Sequence, residues 1–322
     1  MKKTLLAVAL TSLLPITAVA DVVVYGKANV AVQNADEVAL DGSRVELVSN
    51  SSRIGVKGGE DVNSRLKVIY QFEYQTEVDD SKASNGQTFA PRNIFLGLQG
   101  SAGTLMGGHF DTPTKVAQEK VDVFNDLEGD LISIFRGEIR ASNVIQYTTP
   151  SFGGGFSGSV AYVTEEADGT YAAANPASEE SAGVSTSFGY TSAAFYVGAA
   201  MDQDIEADGV DLYRLVARAN FGPVQLGLLG EKYENDNTGA DEDGVLASVL
   251  WSLTDKWAVK AQYGQSDVKM ADGETASFGV DYKMTKAATL YGYATKVENG
   301  LLEDQAGARD DTYIGAGVDF KF

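Results

Sequence analysis

Residues 65–75 read RLKVIYQFEYQ, and in them Leu66, Val68, Tyr70, Phe72 and Tyr74 alternate with Arg65, Lys67, Gln71, Glu73 and Gln75. Successive side chains of a strand point to opposite faces, so this period of two predicts a half-buried β-strand. The rhythm extends in both directions. Upstream, Val22, Val24, Gly26, Ala28, Val30 and Val32 oppose Tyr25, Lys27, Asn29 and Gln33. Val45–Lys57 follows, with Ile54 and Val56 opposite Arg53 and Lys57, and 58–64 reads as a short turn. Downstream, strands are expected near Arg92–Gln99, Thr104–His109, Arg140–Thr148, Phe156–Val163, 181–190, 193–201, 210–221, 224–233, 244–253, 256–264, 275–284, 288–296 and Asp311–Phe322, sixteen in all.

The connections alternate in length. Short turns such as Gly100–Gly103, Gly222-Pro223 and Thr254-Asp255 separate long, acidic stretches at 164–180, 202–209, 234–243, 265–274 and 297–310. An up-and-down transmembrane barrel has this two-period layout, with tight periplasmic turns and long outer loops. Lipid offers no hydrogen-bond partners, so every strand must pair on both sides and the first must meet the last. The expected fold is therefore an all-β, sixteen-stranded antiparallel transmembrane barrel, too wide for side chains to fill. Phe152, Phe221, Trp251, Trp257, Tyr263, Tyr282 and Phe320 stand near strand ends, where interfacial aromatic girdles belong.

Composition narrows the function. Lys2 and Lys3, the apolar run Thr4–Thr17 and Ala18-Val19-Ala20 form a secretory leader, giving a signal peptide at 1–20 and one barrel domain at 21–322. No later stretch is long and apolar enough for a membrane helix. The chain has no cysteine, so packing and backbone hydrogen bonds must hold it. Its net charge of −20 opposes nucleic acid as a partner. One histidine, His109, cannot build the usual catalytic zinc site, so no metal, cofactor or enzymatic activity is expected.

Between Phe110 and Arg140 the alternation lapses: FDTPTKVAQEKVDVFNDLEGDLISIFRGEIR holds seven acids and four bases. A long segment without strand pattern inside a compact domain points to function. It is expected to fold into the lumen and narrow it.

Several segments resemble the trimeric general porins of Gram-negative outer membranes: VYGKANV (24–30), SSRIGVKGGED (51–61), PRNIFLGLQGSAGTLMGGHFDTPTK (91–115), RASNVIQYTTPSFGGG (140–155) and the final Phe322. The resemblance implies an outer-membrane homotrimer whose third loop enters each pore. It implies a basic row on the wall, carried by motif onto Lys27, Arg53, Arg92 and Arg140. Parity supports Lys27 and Arg53 independently, whereas Arg92 falls in the set of Ile94, Leu96 and Leu98. His109 stands where the family often has an arginine, and Arg136 is expected beside Arg140 or on loop carbonyls. The loop motif VFNDLEGD departs from the enteric version, so Asp122, Asp126, Glu128 and Asp130 are nominated as the facing acids by composition. Phe322 is implied as a signal to the barrel-assembly machinery, and lipopolysaccharide as a lipid neighbour.

The function expected is passive diffusion of ions and small hydrophilic solutes across opposed charged walls, with no cofactor. Acidic outer loops concentrate cations over a Debye length of about 8 Å, giving an expected weak cation preference. The alternative is a substrate-selective channel, for which Arg214 and Arg218 on one inward face are the only hint.

Overall fold

A computed structural model describes residues 22–40, 42–80, 86–165, 182–301 and 305–322; the expected leader, 1–20, lies outside them. The strands are β1 (Val23–Glu37), β2 (Gly42–Ser49), β3 (Arg53–Asn63), β4 (Leu66–Gln75), β5 (Ala90–Gly100), β6 (Gly103–Asp111), β7 (Arg140–Thr148), β8 (Phe156–Val163), β9 (Gly183–Thr191) and β10 (Phe195–Gln203). They continue as β11 (Val210–Phe221), β12 (Val224–Asn235), β13 (Ala240–Ser252), β14 (Trp257–Ser266), β15 (Gly273–Lys283), β16 (Ala288–Glu298) and β17 (Asp310–Lys321). One short helix, α1 (Pro113–Ala117), follows β6.

Seventeen strand segments make sixteen staves. The inner half of β1 pairs with β3, from Val23↔Lys57 to Lys27↔Arg53, and its outer half pairs with β2, from Val30↔Ser49 to Glu37↔Gly42. β2 and β3 are thus one stave broken at 50–52. Ser51 there takes a positive φ of 53°. The Ser52 hydroxyl replaces the missing ladder, accepting from Asn29 N–H at 2.9 Å and donating to Asn29 C=O at 3.2 Å. β1 also pairs with β17, from Lys27↔Lys321 to Asp36↔Thr312, and this seam closes the sheet.

The two faces differ as a lipid-facing barrel requires. Leu96, Leu215 and Val245 are 62 %, 67 % and 62 % exposed, while their alternating neighbours Arg214 and Leu246 are buried. An outward band of bare hydrophobic residues is unstable in water and stable in lipid.

Two expected boundaries move. The stretch 58–64 is not a turn, because β3 runs to Asn63. The stretch 234–243 is mostly strand, since β12 and β13 pair as far as Asn235↔Ala240. Its acids are held on the ladder: Lys232 bonds Glu234 on its own strand and reaches Asp241 of β13 at 3.3 Å. Cross-strand opposite charges stabilise a pair, which lets an acidic run continue as strand.

The apolar core lies between the wall and residues 112–139. Val121, Phe124, Leu131, Ile134 and Phe135 are fully buried against Ala31, Ala35, Val216, Leu229, Leu246, Tyr291 and Tyr293.

Candidate functional site

The segment after β6 folds by satisfying its own backbone. Thr112 caps α1, its hydroxyl accepting from Lys115 N–H at 3.3 Å, and Pro113 stands where a helix has no use for an N–H. Asp122 accepts from Phe124 N–H at 2.8 Å and Leu131 N–H at 2.9 Å. Asp130 accepts from Asp126 N–H at 2.8 Å and Ile132 N–H at 3.0 Å, capping a single 3₁₀ turn. Gln262 of β14 then fastens the segment to the wall, accepting from Val123 N–H and donating to Gly129 C=O, both at 2.9 Å.

Of the four nominated acids, one meets the basic row. The Asp126 carboxylate takes Lys27 Nζ at 2.6 Å and Arg53 Nη1 at 3.4 Å on the same oxygen. Burial opposes its charge, but the field and hydrogen bond of Lys27, with Arg53 behind, hold it below the usual carboxylate range. Asp122 and Asp130 do not face the row, because their oxygens are spent on backbone amides within the segment. Burial, and after it the nearby Asp130, pushes Asp122 well above the usual range. Glu128 turns to β1, where Gln33 Nε2 donates to it at 2.8 Å, and burial raises it too.

Arg92 and Arg140 find acids elsewhere. Arg92 Nε reaches Glu73 at 3.0 Å and its Nη1 reaches Gln75 at 3.1 Å. The parity conflict at Arg92 disappears because the β4–β5 register shifts here: Phe72 pairs with Ile94, but Tyr74 pairs with Pro91. The bulge inserts an extra residue and returns Arg92 to the face of Glu73. Arg140 Nη2 meets Asp111 at 2.8 Å, and Lys115 Nζ lies 3.4 Å from the same carboxylate. The sequence reading missed Glu73 and Asp111 as partners. Glu73 was signalled by its place between Gln71 and Gln75, and its second oxygen accepts from Tyr25 O–H at 2.9 Å.

The remaining nominees lie apart from that group. His109 sits opposite Ile94 in the alternation set of the exposed Leu105, its Nδ1 2.9 Å from Ser142 Oγ. Arg136 is not beside Arg140. Its Nε donates to Val268 C=O at 2.8 Å, it pairs with Glu206, and its guanidinium lies 4.9 Å from the Tyr233 ring centroid. Arg214 and Arg218 form no exposed track: Arg214 is 0 % exposed, and Arg218 lies 3.7 Å from Glu119. Phe322 closes the seam through Gly26, exchanging backbone bonds of 2.9 and 3.1 Å, and its ring covers the space a Gly26 side chain would need. The outward space at Gly26 is thus occupied by the chain's own Phe322 ring.

Comparison with known proteins agrees with this architecture. The profile of the Gram-negative porin family matches residues 4–300. The major outer membrane protein P.IB of Neisseria meningitidis serogroup A is 26 % identical over 338 residues, covering 99 % of this chain and 89 % of that protein. The P.IB protein of Neisseria gonorrhoeae is 31 % identical over 181 residues, 53 % of this chain and only 50 % of that one. Among solved structures, the anion-selective porin from Comamonas acidovorans superposes with a TM-score of 0.75 at 23 % identity, over 94 % of this chain and all of that one. OmpF of Salmonella typhi in complex with daunomycin gives 0.69 at 18 %, over 94 % of this chain and 97 % of that one. A closed sixteen-stave barrel, a lipid-facing apolar face and a family match over most of the sequence agree: the chain belongs to the Gram-negative porin family and is a multi-pass β-barrel of the outer membrane.

Proposed function

We propose that this protein is a passive diffusion channel for ions and small hydrophilic solutes, filtered where the segment 112–139 approaches Lys27, Arg53, Arg92 and Arg140. The observation that carries the reading is the shared carboxylate of Asp126, which bonds β1 and β3 from a segment that is also fastened to β11 through Arg214 and to β14 through Gln262. A segment tied to distant staves of a closed sheet leaves only part of the lumen for solutes. Charges lining that remainder orient dipolar solutes and disfavour apolar ones.

The sign of ion preference follows from pairing. At this contact Lys27, Arg53, Arg92, Arg140 and Lys115 meet Asp126, Glu73 and Asp111, and Lys115 also stands 3.9 Å from Glu138, which Arg214 already holds. The surplus is basic and sits at the narrowest place, whereas the outer acids act through screened water. The proposed lean is weakly toward anions, opposite to the sign expected from composition. Assembly as a homotrimer belongs to the same reading; a trimer form is known for OmpT of Vibrio cholerae. So do contact with lipopolysaccharide and a role for Phe322 in delivery to the assembly machinery.

Single-channel conductance with reversal potential in a salt gradient tests this on refolded protein. Steps in threes with an anion-leaning potential support it. A cation-leaning potential would return control to the outer acids, and a folded barrel without conductance would overturn the function.

A further inference from the structure

We infer that Arg214 is the positioning residue of the filter: one guanidinium fastens both ends of the 112–139 segment to the wall and thereby fixes how far the segment reaches across the lumen. The inference rests on the reading of that segment as the constriction.

The geometry is unusually complete. A guanidinium carries five N–H groups in a planar fork, and all five are used here. Nε donates to Glu231 Oε2 at 2.9 Å, and one Nη2 hydrogen goes to the same oxygen at 2.6 Å. The other Nη2 hydrogen goes to Arg136 C=O at 2.6 Å. Nη1 donates to Glu138 Oε1 at 2.7 Å and to Thr114 C=O at 3.3 Å. Arg214 and Glu231 belong to adjacent staves, β11 and β12; Thr114 is where the segment departs, and Arg136 and Glu138 are where it returns.

The network closes on itself. The other Glu231 oxygen accepts from Arg136 N–H at 2.9 Å, and the other Glu138 oxygen accepts from Gln118 Nε2 at 2.9 Å. The Arg214 and Glu231 side chains are both 0 % exposed and Glu138 is 4 % exposed. The cluster is buried, and its guanidinium is fully bonded. Gly137 makes room for it: φ is +72°, and an added Cβ would stand 3.0 Å from Arg214 Nη2. A lysine here would supply a point charge and three donors, too few and wrongly directed to hold two chain ends.

Two variants test the role, with parent protein beside them. Arg214→Lys keeps the charge. Arg214→Met combined with Glu138→Gln and Glu231→Gln removes the three charges of the cluster together, so that neither glutamate is left unpaired. Each is refolded, its strand content checked by circular dichroism, and its single channels recorded in a salt gradient. The expected result is native strand content with sub-conductance fluctuations absent from the parent and a reversal potential shifted toward zero. Parent-like conductance, noise and reversal potential in both folded variants would overturn the positioning role. Failure of the parent itself to conduct would instead overturn the channel reading.

Discussion

The segment 112–139, proposed here as the constriction, is tied down by charge at two places, and the two ties are built differently. At the root, Arg214 is fully buried and meets two carboxylates and two carbonyls. At the tip, one Asp126 oxygen is shared by Lys27, which is 8 % exposed, and Arg53, which is 25 % exposed. The root is over-determined, with each charge answered several times. The tip leaves one base in excess and a side chain within reach of water. Desolvated charges hold position strongly but only as a complete set. Solvated charges hold weakly and remain available to a passing ion. On the proposed reading, one segment fixes shape at its ends and selects charge at its tip.

The sharpest way to break this contrast is to strand the root. Arg214→Met alone leaves Glu231 and Glu138 facing each other in a dry site, a loss of about 3–5 kcal/mol for a buried pair deprived of one partner. Urea unfolding in detergent should show it, and the variant with both glutamates also neutralised should recover most of the loss. Gly137→Ala should cost less, about 1–2 kcal/mol for a left-handed alanine, by the same measurement; no change would mean the return of the chain is not held as described.

Asp126→Asn acts on the tip. It should lower stability less than Arg214→Met does, since the amide oxygen of the new side chain can still accept from Lys27 and Arg53 is a quarter exposed, yet move the reversal potential further toward anions. If stability falls as far as in Arg214→Met, the two ties are not different in kind. Acid gives the smallest effect and a sign. Asp126 has its folded pKa depressed, so its contribution is complete above the unfolded value near 4 and is lost as pH falls through the lower folded one. The anion lean should thus persist at pH 5 and grow only in stronger acid. Asp122, held high by burial, works in the opposite direction: ionising it costs stability increasingly as pH rises from about 4 toward its folded value.

The staves were legible because period two is imposed residue by residue, as in Leu66 to Gln75. Parity misled only where a strand stopped being regular. The bulge opposite Phe72 and Tyr74 turned Arg92 inward, and nothing in PRNIFLGL announces an extra residue. The long acidic connection at 234–243 was legible as polar but not as strand, because only the pairing of β12 with β13 brings Lys232 within reach of Asp241, diagonally across the ladder. Within 110–140 no period exists, so composition could name Asp122, Asp126, Glu128 and Asp130 but could not sort the acid that meets a base from those that cap amides. Arg214 was visible as an inward arginine. Its burial depends on Thr114, Arg136 and Glu138, a hundred to seventy-six positions away, and no local pattern carries that.

The seam carries a consequence for how the molecule comes to exist. β1 pairs with β17 along ten register positions, and Gly26 shares two backbone bonds with Phe322. These are nearly the longest-range contacts the chain could make, and rates of folding fall as such contacts dominate. Until β17 arrives, β1 has an open edge, the hazard that leads strand-rich intermediates to aggregate. Closure is therefore a late, slow event that waits on the synthesis of β17.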